Sequence, residues 1–255
     1  MERGLGPTKP VIEGDLLYGR GAADDGYAIY ASIGGIKAWQ TQKIRHSRIV
    51  ILIEGSEESS SPHLVAYFEH LSSLIKTPDV VVCLDPGCGD YERFWVTTTL
   101  RGATKVDLSV SILQEGVHSG DASGVVPDSF RILRILLERL EDSKTAKILV
   151  PELADVAVPQ DKIEEAKNAA GVVGDLIHKQ FPFVEGAQPT YMGEEDANLK
   201  RYMARVWGNV ITVTGGDGFP PLATAGNVLR TSSALRLSIR TAPTISGPEV
   251  AQKVK

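Results

Sequence analysis

The sequence predicts an α/β protein: a partial parallel sheet first, then an α+β domain. Three observations carry this. Apolar runs at Leu17–Tyr18, Arg48–Ile53 and Val80–Leu84 alternate with helical patterns, giving the order β-α-β-α-β. Each run leads into acids, at Asp24-Asp25, Glu57-Glu58 and Asp85. Beyond Leu100-Arg101-Gly102 the texture changes to alternation, which suits antiparallel strands with one covered face. The expected boundary therefore divides a domain over 1–100 from a second over 101–255, with no internal repeat.

In order, residues 1–16 are rich in Gly and Pro and read as a loop. Leu17-Tyr18 leads into a glycine corner, Gly19-Arg20-Gly21, that ends in Asp24-Asp25. A buried helix is expected from Tyr27, carrying Ala28, Ile29, Ala31, Ile33, Ile36, Ala38 and Trp39, with Gly34-Gly35 as its weak point. Arg48–Ile53 suits a strand covered on both faces. Pro62 opens a second helix with Leu64, Val65, Phe68, Leu71 and Leu74 inward. Val80–Leu84 reads as another buried strand, Cys83 included, and Asp85 precedes a Pro86-Gly87 turn.

In the second part, Phe94–Thr99 and Lys105–Ile112 alternate like antiparallel strands. The loop Gly116–Asp121 leads to Pro127 and a helix over Ser129–Leu140. Residues 141–200 are charged and mixed, with a helix expected over Ile163–Gln180. Val210–Val213 reads as strand and Gly215-Gly216-Asp217-Gly218 as a turn. Leu235–Arg240 alternates cleanly, and Pro248 marks the start of a last helix.

Composition excludes several classes. Hydrophobic content of 42% and charged content of 23% over 255 residues are those of a soluble globular chain. A net charge of −5, without a basic tract, argues against nucleic acid as a partner. No apolar run approaches the roughly 18 residues of a membrane span, and Met1–Pro7 lacks the apolar core of a signal peptide. Two cysteines, Cys83 and Cys88, form no disulfide framework. A cytoplasmic location is expected.

Parallel order places the strand ends on one sheet edge, so Asp24, Glu57, Glu58 and Asp85 are expected to converge. Carboxylate oxygens hold hard or borderline cations, and two-metal hydrolases often share one carboxylate between their ions. Asp24 has the type and place for that bridge. Consecutive Glu57 and Glu58 need not point the same way, so one can bind metal while the other takes a proton from water. Taken singly, each acid has a plainer reading: Asp24 as a helix N-cap, Glu57-Glu58 as a solvated turn, Asp85 as a turn acid. His118 reads equally as an exposed loop residue, and Arg240 as a snorkelling or ion-paired strand residue. A nucleotide loop is disfavoured, because Asp24 stands where a third glycine belongs and repels a pyrophosphate.

These pieces resemble the two-zinc peptidases that include carnosinase, cytosolic non-specific dipeptidase, aminoacylase and glutamate carboxypeptidase. The resemblance rests on Gly19-Arg20-Gly21-Ala22-Ala23-Asp24-Asp25, Glu54-Gly55-Ser56-Glu57-Glu58-Ser59, Val82-Cys83-Leu84-Asp85, Leu100-Arg101-Gly102 and His118-Ser119-Gly120, in family order across residues 11–245. The Tyr18–Asp25 run and the Leu-Arg-Gly entry look most like the dipeptidase branch. The resemblance implies a partial catalytic domain over 1–100 and an inserted lid and dimerisation domain over 101–255. It implies Asp24 as bridging ligand, Glu58 and Asp85 as ligands of one ion each, and Glu57 as general base, with two zinc ions per complete site or manganese in their place. His118 would reach a partner subunit's site in a homodimer. Asn227 and Arg240 would contact substrate, a dipeptide or an N-acyl amino acid, with Arg240 on its carboxylate.

The departures are specific. The family has a His-x-Asp motif before the glycine corner and a late metal-binding histidine after the lid. No histidine precedes Leu17, and His46, His63, His70 and His178 match neither position. An oxygen-only site shifts preference away from zinc toward Mg or Mn. The chain thus reads as the middle of such an enzyme, with its second domain incomplete at the C-terminus. The expected activity is metal-dependent dipeptide hydrolysis. The alternatives are N-acyl amino acid deacylation on the same site, or a non-catalytic role through the dimerisation domain.

Overall fold

The computed structural model describes residues 6–85 and 88–255. Met1–Leu5 and the Pro86-Gly87 turn expected after Asp85 lie outside the described residues. The fold is mixed α/β, and the chain divides into two compact units, Met1–Cys88 and Gly89–Lys255.

The first unit opens with a hairpin where a loop was expected. Strands β1 (Val11–Glu13) and β2 (Leu16–Tyr18) pair antiparallel, with Ile12 opposite Leu17. Helices α1 (Tyr27–Thr41), α2 (Leu64–His70) and α3 (Ser72–Ile75) follow. The expected helices form, but α1 buries none of its side chains. The two apolar runs differ from expectation. Among the described residues, Arg48–Ile53 and Val80–Leu84 have no ladder partner, and no parallel pairing of strands occurs. Ile49–Leu52 stay 38–43% exposed and Val80–Val82 71–75% exposed. Cys83, expected inside, is exposed too. The physical reason is one of cover. A continuous apolar run becomes a buried strand only when both its edges and both its faces are supplied with partners.

The second unit supplies its own cover. Its central sheet is β3 (Gly102–Ser111), β5 (Val210–Asp217) and β7 (Ser232–Thr241), ordered β3-β7-β5 and antiparallel throughout. Strand β7 alternates without a break: Ser233, Leu235, Leu237, Ile239 and Thr241 are buried, the residues between them are not. Val106, Leu108 and Val110 of β3 add to the covered face. Helices α5 (Ser129–Leu140) and α10 (Gly247–Val254) close that face through Leu133 and Val250, both fully buried. Asp128 caps α5 by accepting from the Arg131 N–H, and Ser246 with Glu249 forms a capping box on α10.

A short ribbon pairs β4 (Val117–His118) with β6 (Val228–Leu229), and α4 (Ser119–Ala122) starts directly after β4. Helices α6 (Pro151–Ala154), α7 (Gln160–Val173), α8 (Leu176–Lys179) and α9 (Ala197–Val206) fill the charged stretch. The single helix expected over Ile163–Gln180 is broken at Gly174, whose φ of +50° ends α7. The turn expected at Gly215–Gly218 is instead mostly strand: β5 runs through Asp217 with a register shift between Val213 and Gly215. Phe94–Thr99 carries no ladder.

Candidate metal and substrate-binding residues

The glycine corner holds Asp24 in a tightly closed loop. The Gly26 N–H donates to the Gly21 carbonyl at 2.7 Å, and a side chain at Gly26 would collide with that oxygen. Gly21 itself takes a φ of +73°, which favours glycine. The Asp24–Asp25 peptide bond is cis. Helix α1 is capped at Gly26 with no side-chain bond, so Asp24 is not spent as a helix cap. Glu57 and Glu58 open a short 3-10 turn, Glu57–Ser59, fastened by Ser59 N–H to Ser56 O (3.0 Å) and Ser60 N–H to Glu57 O (2.8 Å). The Tyr27 hydroxyl donates to the Asp85 carbonyl at 2.9 Å, tying the start of α1 to that acid's backbone.

Two of these acids carry raised pKa values. The Glu57 pKa is raised, first by desolvation and then by the negative charges of Glu58, Asp85, Asp24 and Glu54. The Asp85 pKa is raised in the same way, by desolvation and then by Asp24 and Asp25. Glu57 thus feels the charge of the other three predicted acids and of Glu54, and Asp85 that of Asp24 and Asp25.

Whether such a set suits a divalent cation is a matter of donor chemistry and of distance. The chemistry fits: crowded carboxylates repel, and a cation relieves that repulsion. The distances are looser, since no three His, Cys, Asp or Glu side chains among the described residues stand close enough to form a coordination group. Glu57, Glu58, Asp24 and Asp85 are all exposed.

The second unit holds the other predicted residues, at two places. His118 lies opposite Val228, and the Ser119 N–H donates to the Asn227 carbonyl at 2.9 Å, so His118 and Asn227 belong together. The His118 Nδ1 accepts from the Gly120 N–H at 3.1 Å. Arg240 lies near the far end of β7, opposite Ala103 and Val210. At about 3.4 Å per residue, it is roughly 27 Å along that strand from Ser232, beside which the β6 ribbon ends. One chain does not bring Arg240 to His118.

Three comparisons bear on this arrangement. The family model described as peptidase family M20/M25/M40 matches residues 1–235. The chain is 24% identical over 245 residues to a cysteinylglycine-S-conjugate dipeptidase of Corynebacterium striatum, covering 93% of this chain and 49% of that protein. It is 24% identical over 254 residues to a Cys-Gly metallodipeptidase of Candida albicans, covering 93% and 48%. The structure is similar to an M20 family metallo-carboxypeptidase from Sulfolobus solfataricus, with a TM-score of 0.71 at 19% identity over 96% of this chain and 54% of that one. It is also similar to the dipeptidase Dug1p of Saccharomyces cerevisiae, with a TM-score of 0.66 at 23% identity over 98% and 51%. The chain spans about half the length of the curated relatives it matches. Among the described residues no helix is long and apolar enough to cross a membrane.

Proposed function

The chain belongs to peptidase family M20/M25/M40, and from that premise we propose that it is the metal-binding part of a hydrolase that cleaves dipeptides. The observation that carries this is the family match over residues 1–235, with Asp24, Glu57, Glu58 and Asp85 all within the first unit. In this reading Asp24, Glu58 and Asp85 would hold two divalent ions. Zinc, or manganese in its place, would supply a Lewis acid for the peptide carbonyl and make water easier to deprotonate. Glu57 would take that proton. Its place beside Glu58 on one 3-10 turn sets it next to a proposed ligand.

The second unit serves as lid and dimerisation domain in this proposal. Arg240 takes the substrate's terminal carboxylate, while His118 and Asn227 contact substrate held by the partner subunit. The separation of these residues along one chain supports the split, because a dipeptide is far shorter than β7. N-acyl amino acids carry the same terminal carboxylate and suit the same residues. A non-catalytic role through the second unit is favoured by one observation: among the described residues, only that unit has buried apolar side chains.

The test is hydrolysis of a dipeptide and N-acyl amino acid panel, with Zn or Mn added, by the chain and by its Glu57→Gln variant. Loss of a general base predicts a rate reduced by about 10²–10⁴-fold. Equal turnover by the variant would remove Glu57 from the mechanism. No turnover of any substrate with either ion would favour the non-catalytic role.

A further inference from the structure

One end of the second unit's sheet gathers three guanidinium groups. Arg101 stands immediately before β3, and its Nη1 donates to the carbonyls of Ala204 (2.8 Å) and Gly208 (3.1 Å) at the C-terminal end of α9. Arg205 lies in the last turn of α9, between those two residues in sequence. Arg240 is paired with Ala103, two residues beyond Arg101. Directly opposed residues share a sheet face, as do residues two apart, so strand alternation puts Arg101 and Arg240 on one face within reach of long side chains. The Arg101 pKa is lowered, first by desolvation and then by the positive charges of Arg240 and Arg205.

What this cluster lacks is a counter-charge. Arg93, Arg230 and Arg236 each meet an aspartate within ion-pair distance. Among the described residues no acid meets Arg101, Arg205 or Arg240 in that way. Arg205 and Arg240 are exposed. Arg101 is half-buried and already engaged by two carbonyls, which makes it a positioning residue: it fastens the end of α9 to the start of β3 and so presents Arg205 beside the sheet.

We propose that Arg205 and Arg240 form a site for two carboxylates carried on one short ligand, as on a peptide that ends in Asp or Glu. Each exposed guanidinium offers a planar fork matched to one carboxylate. A ligand with a single carboxylate leaves one guanidinium uncompensated beside the desolvated Arg101; a second carboxylate removes that repulsion. The proposal rests on the peptidase reading in one respect, that Arg240 takes the substrate's terminal carboxylate. Its new content is Arg205 and the preference for an acidic last residue.

Binding is measured by calorimetry at low ionic strength with glycyl-glutamate and glycyl-glutamine, in the Glu57→Gln chain so that neither peptide turns over. These peptides differ by one carboxylate and almost nothing in size. Glycyl-glutamate is expected to bind about tenfold more tightly, equivalent to about 1.4 kcal/mol. Arg205→Gln collapses that ratio, and Arg240→Gln weakens both peptides. Equal affinities overturn the proposal, as does a ratio that survives Arg205→Gln. Inorganic phosphate that displaces glycyl-glutamate at similar concentration, with the same dependence on Arg205, overturns it in favour of an unselective anion patch. The two readings fail separately. A ratio in the Glu57→Gln chain stands without hydrolysis, whereas dipeptide hydrolysis by the unsubstituted chain with no ratio sinks this site alone.

Discussion

The two units of this chain use their apolar residues in opposite ways. In the second, β7 buries alternate residues under α5 and α10, and Leu133, Leu237, Ile239 and Val250 are fully enclosed. In the first, Ile49–Ile53 and Val80–Val82 stay exposed, and α1 buries nothing. Alternation needs cover on one face only, which two helices of the same unit provide. A continuous run needs cover on two faces and pairing on two edges. The carboxylates divide the same way. Where a shift is resolved, those of the first unit are raised, Glu57 and Asp85. Those of the second are mostly lowered by hydrogen bonds, as at Asp107, Asp142 and Glu165. The lowered acids are held by local hydrogen bonds; the raised ones of the first unit belong to the proposed cation site.

The largest expected effect tests the difference in cores. Leu237→Ala empties a fully buried position and should cost about 2–5 kcal/mol in denaturant unfolding. Val81→Ala, at 71% exposure, should cost less than about 0.5 kcal/mol. Comparable losses would break the comparison, because Val81 would then have a packed environment.

Next comes the response to a cation. Zinc or manganese at a hundredfold excess over its dissociation constant should stabilise the state that binds it by about 2.7 kcal/mol. Hydrogen exchange should place that protection in the first unit and leave β3, β5 and β7 unchanged. Asp24→Asn should remove it. Protection spread evenly over both units would argue against a site built from Asp24, Glu58 and Asp85.

A smaller effect lies inside the second core. The hydroxyls of Ser129 and Ser233 share a hydrogen bond of 2.7 Å, joining the start of α5 to β7. Ser129→Ala should cost about 0.5–1.5 kcal/mol, since Ser233 keeps a donor in Arg230 Nε at 3.3 Å. A neutral outcome would mean that water replaces the lost hydroxyl.

How much of this was readable in the sequence follows from the same contrast. Helix α5 was legible at both ends, because its apolar period is strong and Pro127 precedes it; the Asp128 cap is added by the structure. Strand β7 was legible because its alternation is unbroken. Gly215-Gly216 misled: paired glycines usually mark turns, but here ladder bonds to β7 carry the strand across a bulge. The apolar runs were read correctly as apolar and wrongly as laddered, since composition does not say what lies beside a strand. In the site, Asp24, Glu57, Glu58 and Asp85 were legible as candidates from the acids that follow each run, and all four fall in the first unit. The meeting of Arg101, Arg205 and Arg240 was not, because it depends on the register of β3 with β7 and on where α9 ends.

The smallest effect is electrostatic and separates two adjacent residues. Glu141, at the end of α5, has its pKa raised by desolvation. Asp142 has its own lowered, by the Thr145 hydroxyl and then by the N–H groups of Thr145 and Lys144. For Glu141 the folded state binds the proton more tightly than the unfolded chain, so its contribution is present below the unfolded pKa and lost as pH rises through the folded one. Glu141→Gln should therefore stabilise the chain at neutral pH and lose that advantage under acid conditions, where both side chains are neutral. Asp142 has the opposite sign: its contribution is present above the unfolded pKa and lost as pH falls through the lowered folded value. Asp142→Asn should destabilise at neutral pH and converge with the parent in acid. Thermal unfolding of both variants across the carboxylate range would give two curves that depart from the parent in opposite directions. Curves departing in the same direction would show that the acids of the second unit are not held by their local hydrogen bonds, and the contrast with the crowded acids of the first unit would fall.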